Sequence, residues 1–154
     1  MPSGKIHLRI EALGLIAWLA VGVYLCISGH IEAMWLVFFA IAYLASMLLL
    51  SPDLDLADSH AARRWGPFRF LWWPYAAIFK HRQISHHLLF GPLTRILYAA
   101  ALVLLAWAGL AALTRRSFHV AYPSPSLAIS LLIGLYLPNV THILADRLSS
   151  LRRR

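Results

Sequence analysis

Four short segments of this chain are rich in side chains that can bind a metal or transfer a proton. They read Gly-Lys-Ile-His at 4–7, Ser-Pro-Asp-Leu-Asp at 51–55, His-Arg-Gln-Ile-Ser-His at 81–86 and His-Ile-Leu-Ala-Asp at 142–146. They supply imidazoles and carboxylates, whereas the single cysteine, Cys26, excludes a cage of thiolates. This ligand mixture suits Zn²⁺, Mn²⁺ or Fe better than copper(I) or an iron–sulfur cluster.

The last segment has the most regular spacing, because His142 precedes Asp146 by four residues. On a helix these two side chains project from one face and can chelate one metal ion. The alternative is an ordinary helix end in which His142 is hydrogen-bonded to a carbonyl group. Taken alone, the spacing does not separate the two interpretations.

Asp53 and Asp55 follow the second apolar stretch directly. If the backbone is extended there, residues two apart face the same way and both carboxylates can approach one ion. Alternatively, Ser51 caps a helix that has Pro52 in its first position, and the two aspartates complement the helix dipole. The two interpretations are compatible, so the aspartates can complement a helix dipole and also approach an ion.

His81 and His86 are five residues apart, about 140° around an ideal helix. They can share one ion only if the helix is interrupted, or they can serve neighbouring ions. Arg82 beside them is suited to pairing with a carboxylate or with phosphoryl oxygens. His7, taken alone, is typical of a surface residue.

The elements that position these segments are membrane spans. The chain is 60% hydrophobic and 13% charged, with a mean hydropathy of +0.68, whereas a soluble domain carries about a quarter charged residues. Four apolar stretches approach the ~20 residues that a spanning helix needs, at about 12–29, 33–50, 96–114 and 126–145. We therefore predict an all-α, four-helix transmembrane protein that forms a single membrane domain over 1–154.

The distribution of basic residues predicts the orientation of these spans. With four spans, both termini and the segment 51–95 share one side, which holds all 14 Lys and Arg residues except Arg115 and Arg116. By the positive-inside rule that side is cytoplasmic, so the protein is predicted to be a multi-pass protein of the cytoplasmic membrane. The basic residues flank spans, so they indicate contact with anionic headgroups rather than with nucleic acid.

The segment 51–95 is predicted to be a cytoplasmic, interfacial helical segment between spans 2 and 3. Its aromatic stretch, which includes Trp72, Trp73 and Tyr75, is typical of the headgroup level. These rings either anchor the segment or also line an entry for a lipid-like substrate.

Each of the four segments falls on the predicted cytoplasmic side. Ionisable groups at the edge of hydrocarbon are costly without partners, so their convergence indicates a site. Three His or carboxylate ligands suffice for one catalytic zinc, and seven candidates suffice for two ions. The candidate ligands are His7, Asp53, Asp55, His81, His86, His142 and Asp146.

The chain also resembles a family of bacterial and archaeal membrane proteins described as metal-binding. The resemblance is carried by 1–7, 52–55, Ser59, 64–66, Trp72, 74–75, 81–82, 85–86, 91–92 and 94–95. More distantly it is similar to the inner-membrane metal-dependent hydrolases regulated by the SOS response, and then to zinc-dependent phospholipase C and related single-strand nucleases. That kinship implies the same seven ligand positions, although Asp146 stands where the phospholipase pattern has Glu, and Asp58 is an additional carboxylate.

Three functions follow as hypotheses. The first is a metal-dependent hydrolase of a phosphoester or lipid-like substrate, with Asp53 or Asp55 as general base and Arg82 holding the phosphoryl oxygens. The second is a non-catalytic metal-binding subunit of a larger membrane complex or homo-oligomer. The third, an ion transporter, is disfavoured because a transport path needs polar groups near the midplane.

Overall fold

The structure is a computed structural model that describes residues 4–56, 58–79, 87–115 and 122–151. All regular elements of this part of the chain are helical. Within these residues, four helices are long and apolar enough to cross a membrane, as predicted, and the second of them runs from Ala33 through Asp55. They are α1 (Gly4–Ile27), α2 (Ala33–Leu49, continued by a 3-10 turn), α5 (Phe90–Thr114) and α6 (Pro125–Leu151).

The helices extend beyond the apolar stretches that predicted them. Helix α1 begins at Gly4 rather than at residue 12, α5 begins at Phe90 rather than at 96, and α6 continues to Leu151. These additional turns carry polar side chains. They bring His7, Arg95 and Asp146 into regular helices, where the position of each side chain is fixed by its place on a helix face.

Helices α1, α2 and α6 pack closely around small and polar residues. A Cβ atom added at Gly134 of α6 would lie 2.6 Å from the carbonyl oxygen of Phe39 in α2, so only glycine permits this approach. Ser46 of α2 donates to the Leu135 carbonyl at 2.6 Å and accepts from the Asn139 amide at 2.9 Å. Small residues and interhelical hydrogen bonds are what hold helices together in lipid.

Between α2 and α5 the chain forms short helices that cover the end of α2. They are a 3-10 turn at Pro52–Asp55, α3 (His60–Arg64), a 3-10 stretch at Gly66–Trp72 and α4 (Trp73–Ile78). The Arg64 guanidinium donates to the carbonyls of Met47 and Leu48, both at 3.3 Å, and the Trp65 indole donates to Leu49 at 3.0 Å. The last carbonyl groups of α2 are thereby satisfied.

The aromatic stretch of this region divides between the interior and the surface. Trp72 and Tyr75 are almost fully buried and pack against α5, so the prediction that both belong to an aromatic belt at the headgroups is wrong for them. Phe68, Phe70 and Trp73 are exposed and remain available for that role. The sequence pattern did not separate the two sets because successive short helices direct neighbouring aromatic side chains to different sides.

Helix α5 contacts the rest of the protein mainly through its first turns. Thr94 accepts a hydrogen bond from the Tyr75 hydroxyl at 3.0 Å, since its own hydroxyl donates to Phe90 and Gly91 carbonyls. Tyr98 donates to the carbonyl of Leu71 at 2.5 Å. The apolar remainder of α5 has no buried residue, as expected for a helix whose outer surface faces lipid.

Candidate metal centre

Residues from three separate parts of the chain meet at one end of the bundle. Helix α1 contributes His7 and Glu11, the turn after α2 contributes Asp53, and α6 contributes His142 and Asp146. Each helical pair has a spacing of four residues, so its two side chains share a face. The four helical side chains are buried or nearly so, whereas 24% of the Asp53 side chain is exposed.

The histidines of α1 and α6 lie against each other. Their rings stack with centroids 3.9 Å apart and an angle of 12° between planes. His7 Nε2 lies 3.1 Å from Asp146 Oδ1, and His142 Nε2 lies 4.0 Å from Asp146 Oδ2. One ligand atom each from His7, His142 and Asp146 can be chosen so that all three lie within 4.8 Å of one another. Three such atoms can hold one metal ion.

His142 is surrounded by negative charge. Glu11 Oε1 lies 2.7 Å from its Nδ1, and Asp53 Oδ2 lies 3.7 Å from its Nε2. With Asp146, three carboxylates approach a single buried ring within 4.0 Å. Taking several like charges out of water is costly unless cations compensate them, so this end of the bundle needs positive charge.

A divalent metal ion fits this requirement. His7 Nδ1 is buried and makes no hydrogen bond within the described residues. Imidazole with carboxylate is the ligand set that zinc-type ions take, and His7, His142 and Asp146 supply both kinds of ligand.

Asp53 and Asp55 are part of a 3-10 turn rather than of an extended chain. Pro52 is the first residue of this turn and Ser51 precedes it, as in the helical alternative of the sequence analysis, but the Ser51 side chain makes no capping hydrogen bond. With 3.0 residues per turn, side chains two apart diverge by about 120°. Accordingly Asp53 approaches His142, whereas Asp55 lies within electrostatic range of Arg95 and Tyr75.

Arg95 is a functional candidate that the sequence analysis did not select. Its side chain is fully buried at the start of α5, within electrostatic range of Asp53, Asp55 and Glu11. The guanidinium therefore supplies positive charge beside the two aspartates. Tyr75 lies within electrostatic range of Arg95, and burial raises the pKa of its hydroxyl. The hydroxyl therefore stays neutral and can donate to Thr94.

Glu11 is the second residue that the sequence analysis missed. The apolar stretch begins at residue 12, so Glu11 falls just outside the predicted span. The signal was nevertheless present, because His7 and Glu11 repeat on α1 the four-residue spacing of His142 and Asp146. Arg95 also had a signal, since Thr94-Arg95 is among the residues that carry the family resemblance.

The remaining predicted site residues are His81, Arg82 and His86, which lie outside the described residues. Their roles stay predictions. His60 is exposed, and it lines the same small pocket as His7, Asp53 and His142. The pocket has a volume of about 10 Å³, roughly the space that one water molecule needs.

Comparison with known proteins finds one relative and one family. A protein of Aquifex aeolicus (strain VF5), described only as uncharacterised, is 42% identical over 60 residues, which are 39% of this chain and 43% of the relative. The chain therefore matches less than half the length of that relative. No solved structure matches the chain. Residues 2–154 match the family described as "Uncharacterized metal-binding protein (DUF2227)", and because the match spans almost the whole chain, this protein belongs to that metal-binding family.

Proposed function

We propose that this protein is a membrane-embedded, metal-dependent hydrolase of a phosphoester, and that its substrate is lipid-like. The observation that carries the proposal is the buried group of His7, His142 and Asp146, beside which Asp53 is partly exposed. Three ligands leave a coordination position open, which distinguishes catalytic from structural zinc sites. The proposal of hydrolysis, rather than of metal binding alone, rests on this open coordination position.

His7, His142 and Asp146 would hold the ion. When bound, a zinc-type ion acts as a Lewis acid and lowers the pKa of water toward neutrality. Asp53 is the general base in this scheme, because it is the most exposed carboxylate beside His142. It takes the proton of the attacking water while the water oxygen forms a bond to phosphorus and the ester oxygen leaves. Arg82, which lies outside the described residues, keeps the role predicted from the sequence, in which it would hold the phosphoryl oxygens.

The membrane edge is the natural place for this reaction. A 24-residue helix such as α1 is about 36 Å long, some 6 Å more than the ~30 Å of bilayer hydrocarbon. When this excess lies at the beginning of α1, its first turn, from Gly4 to His7, reaches the headgroup region. A headgroup could approach His7 and Asp53 there, while its acyl chains stay in the bilayer near the exposed rings of Phe68, Phe70 and Trp73.

A second candidate is a non-catalytic metal-binding subunit of a larger membrane complex. The observation that favours it is the size of the pocket at His7, Asp53 and His142, which is about 10 Å³. This space accepts a water molecule or an ion but no headgroup. Hydrolysis therefore requires the residues around the pocket to move, whereas metal binding alone does not.

The two candidates can be separated with purified protein. Metal content would be measured by elemental analysis, and activity would be assayed on phospholipids and on a generic phosphodiester. We expect His142→Ala to lose both the metal and the activity. Asp53→Asn should retain metal but lower kcat by about 10²–10⁴-fold, as removal of a general base does. Asp58→Asn, at an exposed carboxylate, is the matched control.

The result that contradicts hydrolysis is a stoichiometric metal with no activity, or with activity that Asp53→Asn leaves unchanged. The subunit hypothesis would then replace it. If wild-type protein purified without chelators binds no metal, and titrated Zn²⁺ does not bind either, both candidates fail.

We also propose that both termini and the segment 51–95 are cytoplasmic. The distribution of Lys and Arg supports this orientation. In a Cys26→Ala background, a cysteine at the exposed position Asp58 should react with a membrane-impermeant reagent only after cells are opened, whereas one at Tyr122 should react in intact cells. The reverse pattern overturns the orientation.

A further inference from the structure

Glu11 stands out among the buried residues of α1. It is 3% exposed and lies one helical turn after His7, in a helix that is otherwise largely apolar. Its backbone carbonyl accepts a hydrogen bond from the Tyr43 hydroxyl of α2 at 3.0 Å. Helix α2 therefore fixes the position of Glu11 along the bundle axis, and the Glu11 carboxylate is directed toward α6.

The carboxylate of Glu11 contacts one specific atom of His142. Glu11 Oε1 lies 2.7 Å from Nδ1 of the ring, while Nε2 of the same ring is directed at Asp53 and Asp146. As an ionised carboxylate, Glu11 can only accept a hydrogen bond, and Nδ1 of His142 then carries the hydrogen. In a neutral imidazole the lone pair is then on Nε2, on the side of Asp53 and Asp146.

We infer that Glu11 is the positioning carboxylate of the metal centre, which fixes the tautomer and the orientation of His142 so that Nε2 is the atom that binds the ion. A histidine that ligates metal commonly donates its other N–H to such a carboxylate, and this partner raises the affinity for the ion. The inference rests on the proposed metal site but does not require hydrolysis.

The two histidines of the cluster differ in this respect. His142 Nδ1 has Glu11 as its partner, whereas His7 Nδ1 has none within the described residues. His142 is therefore the imidazole whose metal-binding nitrogen, Nε2, is fixed before an ion binds. His7 is oriented instead by stacking on His142 and by Asp146, which lies 3.1 Å from its Nε2.

The test combines metal affinity with a direct measurement of the tautomer. Wild-type protein, Glu11→Gln and Glu11→Asp would be titrated with Zn²⁺ against a chromogenic chelator. Imidazole ¹⁵N shifts of His142 would be recorded with and without Zn²⁺. Glu32→Gln is the matched control, because Glu32 is exposed and its side chain caps nothing.

We expect Glu11→Gln to bind Zn²⁺ with unchanged stoichiometry and about 10–100-fold lower affinity, the usual loss for such a partner. The Gln amide can offer an N–H to Nδ1, so the His142 shifts should move toward the other tautomer even without metal. Glu11→Asp should recover part of the affinity and keep the wild-type tautomer.

Two results overturn the inference while leaving the metal site intact. One is a Glu11→Gln protein with wild-type affinity and unchanged His142 shifts. The other is a Glu11→Gln protein that loses stoichiometric Zn²⁺ binding although its His142 shifts do not move, because Glu11 would then be a ligand. A wild-type protein that binds no Zn²⁺ overturns the proposed metal centre, and the role of Glu11 in it, together.

Discussion

The same three helices pack in opposite ways at their two ends. Where α1 begins and α6 approaches its end, the interior holds His7, Glu11, His142 and Asp146, and the pocket beside His7, Glu11 and His142 has a volume of about 10 Å³. At the opposite end, α1, α2 and α6 border an open cavity of about 380 Å³. Its lining is mostly apolar and comprises Trp18, Val21, Gly22, Leu25, Ile31, Trp35, Leu36, Phe39, Ser126, Ile129, Ser130 and Ile133.

The contrast indicates what each end contributes. Paired polar groups need short, fixed distances, because an unsatisfied charge in a low-dielectric interior is costly. An apolar cavity needs no such distances, since lipid or a neighbouring side chain can fill it. We therefore expect substitutions at the polar end to have large effects and those at the apolar end to have small ones.

The largest effect is expected for Arg95→Met. Its guanidinium is fully buried within electrostatic range of Asp53 and Asp55. Removing one partner of a buried charge group leaves the others uncompensated, which typically costs about 3–5 kcal/mol. Equilibrium unfolding in mixed detergent micelles should show this loss, or the variant should fail to accumulate in the membrane.

Arg69→Met is the matched control, because Arg69 is exposed. It should change the free energy of unfolding by less than about 0.5 kcal/mol. If Arg95→Met is as stable as Arg69→Met, charge compensation does not hold the polar end together and the comparison between the two ends fails.

The second-largest effect is expected at Gly134, where α6 lies directly against the backbone of α2. In Gly134→Ala, the added methyl group would lie 2.6 Å from the Phe39 carbonyl oxygen and 2.8 Å from Ala42 Cβ. Backbone atoms cannot rotate away, so the helices must separate. Such overpacking costs about 1–3 kcal/mol, measurable as a lower midpoint of unfolding.

Gly109→Ala provides the control for helix propensity. Gly109 is an exposed residue of α5, and no atom lies within 4 Å of an added Cβ there. Alanine in a helix is favoured over glycine by about 1 kcal/mol, so this variant should be more stable than wild type. Equal changes in the two variants would indicate that α2 and α6 are not in close contact at Gly134.

The number of helices that are apolar enough to span a membrane could be predicted from the sequence, but their ends could not. Hydrophobic stretches report where residues face lipid. They end wherever a charge occurs, even if the helix continues. Glu11 and Arg95 were missed for this reason, since each lies within a helix that extends past its apolar stretch.

The spacing of His142 and Asp146 was informative because side chains four residues apart on a helix lie on the same face. The aspartates were less predictable, since an extended chain and a 3-10 turn direct Asp53 and Asp55 differently and the sequence allows both. Partners such as Glu11 and His142 are separated by 131 residues. Only tertiary packing brings them together, so no local pattern contains their pairing.

A smaller effect, visible mainly at alkaline pH, is expected for Tyr75→Phe. Burial raises the pKa of Tyr75 above its usual value of about 10. Below that pH the hydroxyl is neutral in both states and its contribution is fully present. As pH rises, the unfolded chain loses the proton first, so the folded state is progressively destabilised.

Tyr75→Phe should therefore show a shallower loss of stability above about pH 10. At neutral pH it should lose about 1 kcal/mol with the hydrogen bond to Thr94. Tyr122→Phe, at a residue that is 94% exposed, is the control and should follow the wild-type curve. Parallel alkaline curves for all three proteins would contradict burial of Tyr75.

The smallest effect is expected for Gly22→Ala, although by distance alone it is the closer contact. An added Cβ would lie 2.3 Å from Leu36 Cδ1, nearer than any atom to Gly134. The neighbour is the end of a flexible side chain, however, and Leu36 lines the cavity of about 380 Å³. It can rotate into that space, at a cost of about 0.5–1.5 kcal/mol if it leaves its preferred rotamer.

The gain in helix propensity, about 1 kcal/mol, offsets this cost, so the free energy of unfolding should change by no more than about 0.5 kcal/mol. Measured beside Gly134→Ala under the same conditions, the variant isolates the difference between a contact with fixed backbone atoms and a contact with a side chain that can move into the cavity. A loss as large as that of Gly134→Ala would mean that Leu36 cannot move into that space. The apolar end would then be tightly packed as well, and the difference between the two ends would no longer indicate the position of the site.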